Sequence, residues 1–91
     1  MLEYLLRDAD VTWYTSGALL RIGDLQLLKS DVNLYRRRDH DTPFSTWELI
    51  NYPAISGLAI HHNIFLVCTS NSTWRYDDSQ RKLMPCTLVS L

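Results

Sequence analysis

The stretch that decides the fold is NIFLVCTSNSTWRYDD, residues 63–78. It starts as an apolar run, passes through small polar residues and ends in an aromatic-arginine-tyrosine cluster. Apolar runs rich in β-branched and aromatic residues favour strands, and a short polar interruption between two of them is typical of a hairpin turn. The stretch therefore predicts two antiparallel strands joined by a turn at 70–72.

The same plan occurs earlier in the chain, as DLQLLKSDVNLYRRRD at residues 24–39. Position 25 falls on position 64, an offset of 39 residues, and at this offset the pair Tyr35-Arg36 falls on Trp74-Arg75. Upstream, one extra residue is needed to bring Ser16-Gly17 over Ser56-Gly57. The further coincidences at the offset of 39 are Asp39 with Asp78, Phe44 with Leu83, and 49–50 with 88–89.

Each copy divides into four candidate strands, because residues that favour turns recur every few positions. We expect one mainly β domain over residues 1–91, a small antiparallel sheet domain made of two repeats at about 13–50 and 51–91. The candidate strands are 13–20, 24–30, 33–37 and 45–50 in the first copy, and 55–60, 64–69, 73–76 and 84–89 in the second.

The two hairpins, TSNSTWRYDD and KSDVNLYRRRD, resemble the inner hairpin of a β-propeller blade, as in lectin-like, tectonin-like and WD-type propellers. A repeat of about 40 residues with four strands fits a blade of this kind. The resemblance implies that two blades require copies of the same chain to close a ring, for example three chains giving six blades. The residues alone leave open a compact barrel or sandwich, and an α+β fold.

Composition restricts the partners. The chain has 91 residues and a net charge of −1, so it offers no overall attraction to nucleic acid or to an anionic membrane. With no apolar run of membrane-spanning length and no basic, signal-like start, we expect a cytoplasmic protein. Cys68 and Cys86 lie within apolar runs and are expected to be small buried hydrophobic residues, with a disulfide or a reactive site as the alternatives.

Residues with catalytic or metal-binding chemistry are few. Adjacent His61 and His62 would point to opposite faces of a strand, although a turn could bring them together, and His40 lies between two aspartates. The pair 77–78 lacks the defined carboxyl separation of a glycosidase, and the chain has no Gly-x-Ser-x-Gly or phosphate-binding glycine loop. We therefore expect neither an enzyme nor a metal or cofactor site.

The repeated aromatic-arginine cluster is the candidate binding surface. Aromatic side chains anchor a partner by desolvation, and guanidinium groups fix its register on carboxylates. The alternative is internal packing. We expect a self-associating binding protein with a protein partner; the other hypotheses are a carbohydrate-binding module with one site per repeat and a small enzyme inhibitor. The candidate residues are Tyr35, Arg36, Arg38, Trp74, Arg75 and Tyr76.

Overall fold

The computed structural model describes the backbone of residues 5–7, 11–38, 47–50 and 54–89, and the side chains of 11–38, 47–50 and 54–86. Within these ranges the chain is built from strands and turns, and no helix could cross a membrane. The strands are β1 (Leu5–Arg7), β2 (Ala18–Ile22), β3 (Leu25–Ser30), β4 (Asn33–Arg38), β5 (Glu48–Ile50), β6 (Gly57–His61), β7 (Ile64–Cys68), β8 (Thr73–Asp77) and β9 (Lys82–Val89).

The strands form two sheets, one from each repeat. The first sheet has the order β2-β3-β4-β5 and the second has the order β1-β9-β8-β7-β6. Every pairing is antiparallel except that of β1, which adds to the second sheet parallel to β9. The prediction of a mainly β domain built from two similar four-stranded units is confirmed.

The hairpin turns lie where the sequence predicts them. His62 and Asn63 between β6 and β7 both have positive φ, 48° and 62°, and Gly23 between β2 and β3 has φ 59°. Positive φ in two-residue loops matches the right-handed twist of the adjoining strands, and glycine and asparagine adopt it at low cost. Asp31, between β3 and β4, also has positive φ, at 54°.

The repeat offset changes along the chain. Ile22 pairs with Leu25 and His61 with Ile64, so the offset of 39 extends through the first strands and the extra residue predicted upstream does not enter them. In the last strands the predicted offset is wrong. Arg36 pairs with Glu48, 12 residues on, whereas its counterpart Arg75 pairs with Met84, only 9 residues on. A connection three residues shorter therefore makes the offset of the fourth strands 36, and β5 does not correspond to 88–89.

The two sheets pack face to face around a shared apolar core. We call the faces that meet in this core the inner faces, and the opposite faces the outer faces. Leu27, Leu34 and Ile50 come from the inner face of the first sheet, and Leu58 and Val67 from that of the second. Burial of these side chains contributes most of the stabilisation between the sheets, at roughly 25 cal/mol for each Å² of apolar surface removed from water.

Equivalent residues of the two repeats lie on opposite kinds of face. Leu27 is on the inner face of the first sheet, but its counterpart Leu66 belongs to a separate cluster on the outer face of the second. Conversely, Tyr35 lies on the outer face of the first sheet, while its counterpart Trp74 packs against the core between the sheets. The repeats are therefore stacked head to tail, so that the inner face of the first sheet is equivalent to the outer face of the second.

Residues 11–14 cover the outer face of the second sheet. Val11 and Trp13 pack there on Ala59 and Leu66, both fully buried. Beyond them, Tyr14 exchanges two main-chain hydrogen bonds with Leu58 at the edge of β6, of 2.8 and 3.0 Å. We call residues 11–14 the N-terminal cover.

Candidate functional site

Asp78, in the turn after β8, is held by side chains from both sheets. Its Oδ1 accepts hydrogen bonds from Arg36 Nε at 2.8 Å and from the Tyr76 hydroxyl at 2.9 Å, and its Oδ2 accepts one from Arg38 Nη2 at 2.6 Å. Arg36 and Arg38 share a face because they alternate along β4. We call these four residues the Asp78 cluster.

In the Asp78 cluster, the charge of the buried Arg36 guanidinium is balanced by carboxylates. Arg36 is only 4% exposed, and its Nη1 also donates to Glu48 Oε2 at 3.2 Å. Burial opposes ionisation of Asp78, but the hydrogen bonds from both arginines and Tyr76 outweigh it and lower the pKa of this carboxyl. Burial and the neighbouring Asp78 raise the pKa of Tyr76. An arginine this buried needs such partners, so the cluster joins the two sheets at this position.

The six residues predicted to bind a partner do not form two equivalent sites. The structure brings Arg36, Arg38 and Tyr76 together, but the carboxylate they bind belongs to the chain itself. Trp74 packs against the core, and its indole nitrogen has no hydrogen-bond partner among the described residues. Tyr35 and Arg75 lie apart from the cluster, on the outer faces of the first and second sheets.

The outer face of the first sheet carries an apolar row that crosses all four strands. Leu19 pairs with Leu28, Leu28 with Tyr35, and Tyr35 with Leu49, so the four side chains lie side by side. Leu19 is 53% exposed and Leu49 51%, while Leu28 and Tyr35 are half-buried. We call these residues the outer apolar row. Contiguous apolar side chains in contact with water are a common feature of protein-binding surfaces.

Polar residues border the outer apolar row on both sides. On one side Arg37 donates to Gln26 Oε1 from Nε at 3.0 Å and from Nη2 at 2.8 Å, and its guanidinium lies 4.4 Å from the ring centre of Trp47. On the other side, Ser30 pairs with Asn33 around the turn that contains Asp31. This face therefore carries Arg37 at one end of its strands and the turn with the Asp31 carboxylate at the other, where Lys29 Nζ donates to the Asp31 main-chain oxygen at 2.6 Å.

Sequence reasoning missed the outer apolar row, although Tyr35 was among the predicted residues. Both faces of β2 and β3 carry leucines, so alternation could not show which face would be covered. The available signal was the pairing register of the two hairpins. Once Leu19, Leu28 and Tyr35 are placed in register, they form a continuous row.

The remaining candidates are the histidines and the cysteines. Among the described residues, no three or more potential metal ligands come together, and His40 lies outside them. His61 and His62 stack with ring centres 4.0 Å apart beside the turn. Cys68 and Cys86 are partly buried rather than fully buried, and no disulfide joins them. Both pair with Thr73 from opposite sides, so two strand spacings separate them.

A shallow cavity of about 220 Å³ lies beside the Asp78 cluster. Its volume is below the range of roughly 300 to 1,000 Å³ that is usual for small-molecule sites. The corresponding residues of the first repeat lie in a different environment, so the cavity does not support one sugar site per repeat. It is lined by Ile22, Leu25, Asn63, Ile64, Phe65, Arg75, Tyr76, Asp77 and Asp78.

No protein-family model, curated protein or solved structure matches this chain.

Proposed function

We propose that the chain is a non-enzymatic binding protein that presents the outer face of its first sheet to another protein. The observation that carries this proposal is the outer apolar row, in which Leu19 and Leu49 are both about half exposed. Removal of four adjacent apolar side chains from water by a partner lowers the free energy of the complex. Their arrangement is held by backbone pairing, so little conformational freedom is lost on binding.

The composition around the row favours a protein partner. Tyr35 in the row and Arg37 and Trp47 beside it are of the residue types enriched in protein interfaces. The contact of Arg37 with Trp47 and Gln26 holds the guanidinium in place at the border of the row. In the proposed mechanism the apolar side chains supply affinity, and the polar border determines orientation.

The Asp78 cluster has a structural role in this proposal. Arg36 and Tyr76 are buried, and the Asp78 carboxylate that they contact lies between the sheets. These residues hold the first sheet on the second and thereby keep the outer face regular. No disulfide joins Cys68 and Cys86, which is consistent with a reducing compartment, and we infer a cytosolic protein.

A photo-crosslinking amino acid tests the proposed surface. Benzoylphenylalanine is introduced in place of Leu49, within the row, or in place of Tyr14, an exposed residue outside it. The proteins are irradiated both purified and in an extract of the source cells, and adducts are identified by mass spectrometry. We expect protein adducts from position 49 that disappear when Leu19→Glu is added, and none from position 14.

Two results would contradict the proposal. One is the absence of any protein adduct from position 49 in both the purified protein and the extract. The other is binding to a glycan array that persists in the Leu19→Glu variant, since this would indicate a carbohydrate-binding module acting through a different surface.

A further inference from the structure

The second repeat shows what a row of this kind packs against. The counterparts of Leu19 and Leu28 are Leu58 and Val67, both fully buried in the core between the sheets. The counterparts of Tyr35 and Leu49 are Trp74, which packs against the same core, and Pro85, which pairs with Trp74 in the same row. Three positions of the equivalent row, Leu58, Val67 and Trp74, are therefore packed against another sheet within this chain, while Pro85 is exposed. The outer apolar row has the corresponding shape for packing against a sheet.

A second copy of the chain could supply that sheet in two ways. In continued head-to-tail stacking, the outer apolar row of one copy would pack on the outer face of the second sheet of the next copy. That face is the counterpart of the inner face of the first sheet. Val11 and Trp13 cover that face and bury Ala59 and Leu66 beneath them. Association through the outer apolar row alone remains, and one self-complementary face gives a closed dimer with twofold symmetry.

The charges at the two ends of the face determine how such copies fit together. A twofold axis along the row places each strand opposite its own copy with the direction reversed. Arg37 of one copy then lies opposite Asn33 and the Asp31 turn of the other, while the apolar rows remain in contact. A twofold axis along the strands would instead bring the Arg37 ends of the two copies together, and like charges across an interface are unfavourable.

We propose that the chain forms a twofold dimer by packing two outer apolar rows face to face, with Arg37 of each copy near Asp31 of its partner. This inference rests on the proposed function, because it identifies the partner of the same surface. The N-terminal cover limits the assembly to two chains by occupying the only other stacking face of the described residues.

Sedimentation equilibrium of the purified chain and three variants tests the dimer. Leu49→Glu places a charge in the row and should raise the dimer dissociation constant at least ~10-fold. Asp31→Asn tolerates the positive φ of this turn, removes its carboxylate and should raise the dissociation constant about 2- to 5-fold. Asn71→Glu, a control that adds the same charge as Leu49→Glu at an exposed turn residue of the second sheet, should change it by less than about twofold.

The position-49 crosslinker provides a second readout that does not depend on a variant being well folded. In the purified protein it should give an adduct of two chains, in which the captured peptide is the β5 segment around position 49 of the other copy. Adducts to residues 11–14 or β7 would indicate head-to-tail stacking and would overturn the dimer. A single-chain mass at all concentrations would also overturn it; protein adducts in the extract alone would then leave the proposed function standing, whereas no adducts at all would reject both.

Discussion

Asp78 forms the ion pairs that connect the two repeats. It is the second-repeat counterpart of Asp39, yet its carboxylate accepts hydrogen bonds from Arg36 and Arg38 of the first repeat. The sequence predicted that these guanidinium groups would bind carboxylates of a protein partner, and left internal packing open as an alternative. It could not show that the carboxylate is internal, since Asp78 lies 42 residues beyond Arg36.

Removal of the Asp78 carboxylate should cost much more stability than removal of its neighbour. Asp78→Ala leaves Arg36 buried without its main partner, and a broken buried ion pair costs about 3 to 5 kcal/mol of unfolding free energy. Urea unfolding followed by circular dichroism measures the change. Asp77→Ala is the matched control, because Asp77 bonds only exposed Ser79 and Gln80 in its own turn. Equal losses in the two variants would contradict a special role for Asp78.

Because the pKa of the Asp78 carboxylate is lowered in the folded chain, the free energy of unfolding should depend on pH. The contribution of this carboxylate is fully present above the unfolded pKa of about 3.9, and is lost as pH falls through the folded pKa. The difference in unfolding free energy between the native protein and Asp78→Asn should therefore narrow as pH falls below about 4. Urea midpoints from pH 7 to pH 3 provide the measurement, and a difference that stays constant over this range would count against the assignment.

At the scale of strands and turns, most of the architecture follows from local signals. Six of the eight candidate strands are placed correctly to within a few residues, because β-branched runs alternate with residues that favour turns. Of the candidate 45–50, positions 45–46 lie outside the described residues and Glu48–Ile50 forms a strand. Of the candidate 13–20, only 18–20 belong to a regular strand, Ala18–Ile22, since 11–14 form the N-terminal cover. The predicted offset of 39 residues does not hold beyond β8, because the connection to the last strand differs in length between the two repeats.

Gly57 provides a test of the N-terminal cover. A Cβ at this position would lie 2.9 Å from Cys68 Sγ and 3.3 Å from Trp13 Cε3, so Gly57→Ala should displace the indole and lower the unfolding free energy by about 1 to 3 kcal/mol. Gly17→Ala is the matched control, because its Cβ would meet only the Lys29 carbonyl oxygen, at 3.7 Å. If the two variants unfold at the same urea concentration, Trp13 does not pack as described.

For the whole molecule, the relation between the repeats matters more than either repeat alone. Similar sequences lie on opposite kinds of face: Trp74 packs against the core between the sheets, while its counterpart Tyr35 lies on the outer face of the first sheet. Sequence similarity predicted two equivalent sites, but head-to-tail stacking makes each face of one repeat equivalent to the opposite face of the other. Only the packing of the two sheets against each other shows which repeat keeps this face available to a partner. The candidate surface could therefore be predicted only in part from the sequence.

The outer apolar row is proposed to be a contact surface between two copies of this chain, and light scattering over a wide range of concentrations is the direct test. We expect a mass that approaches twice the 10.6 kDa of one chain at high concentration and falls toward the single-chain value on dilution. A mass of 10.6 kDa at every concentration, or a plateau at three chains, would contradict it.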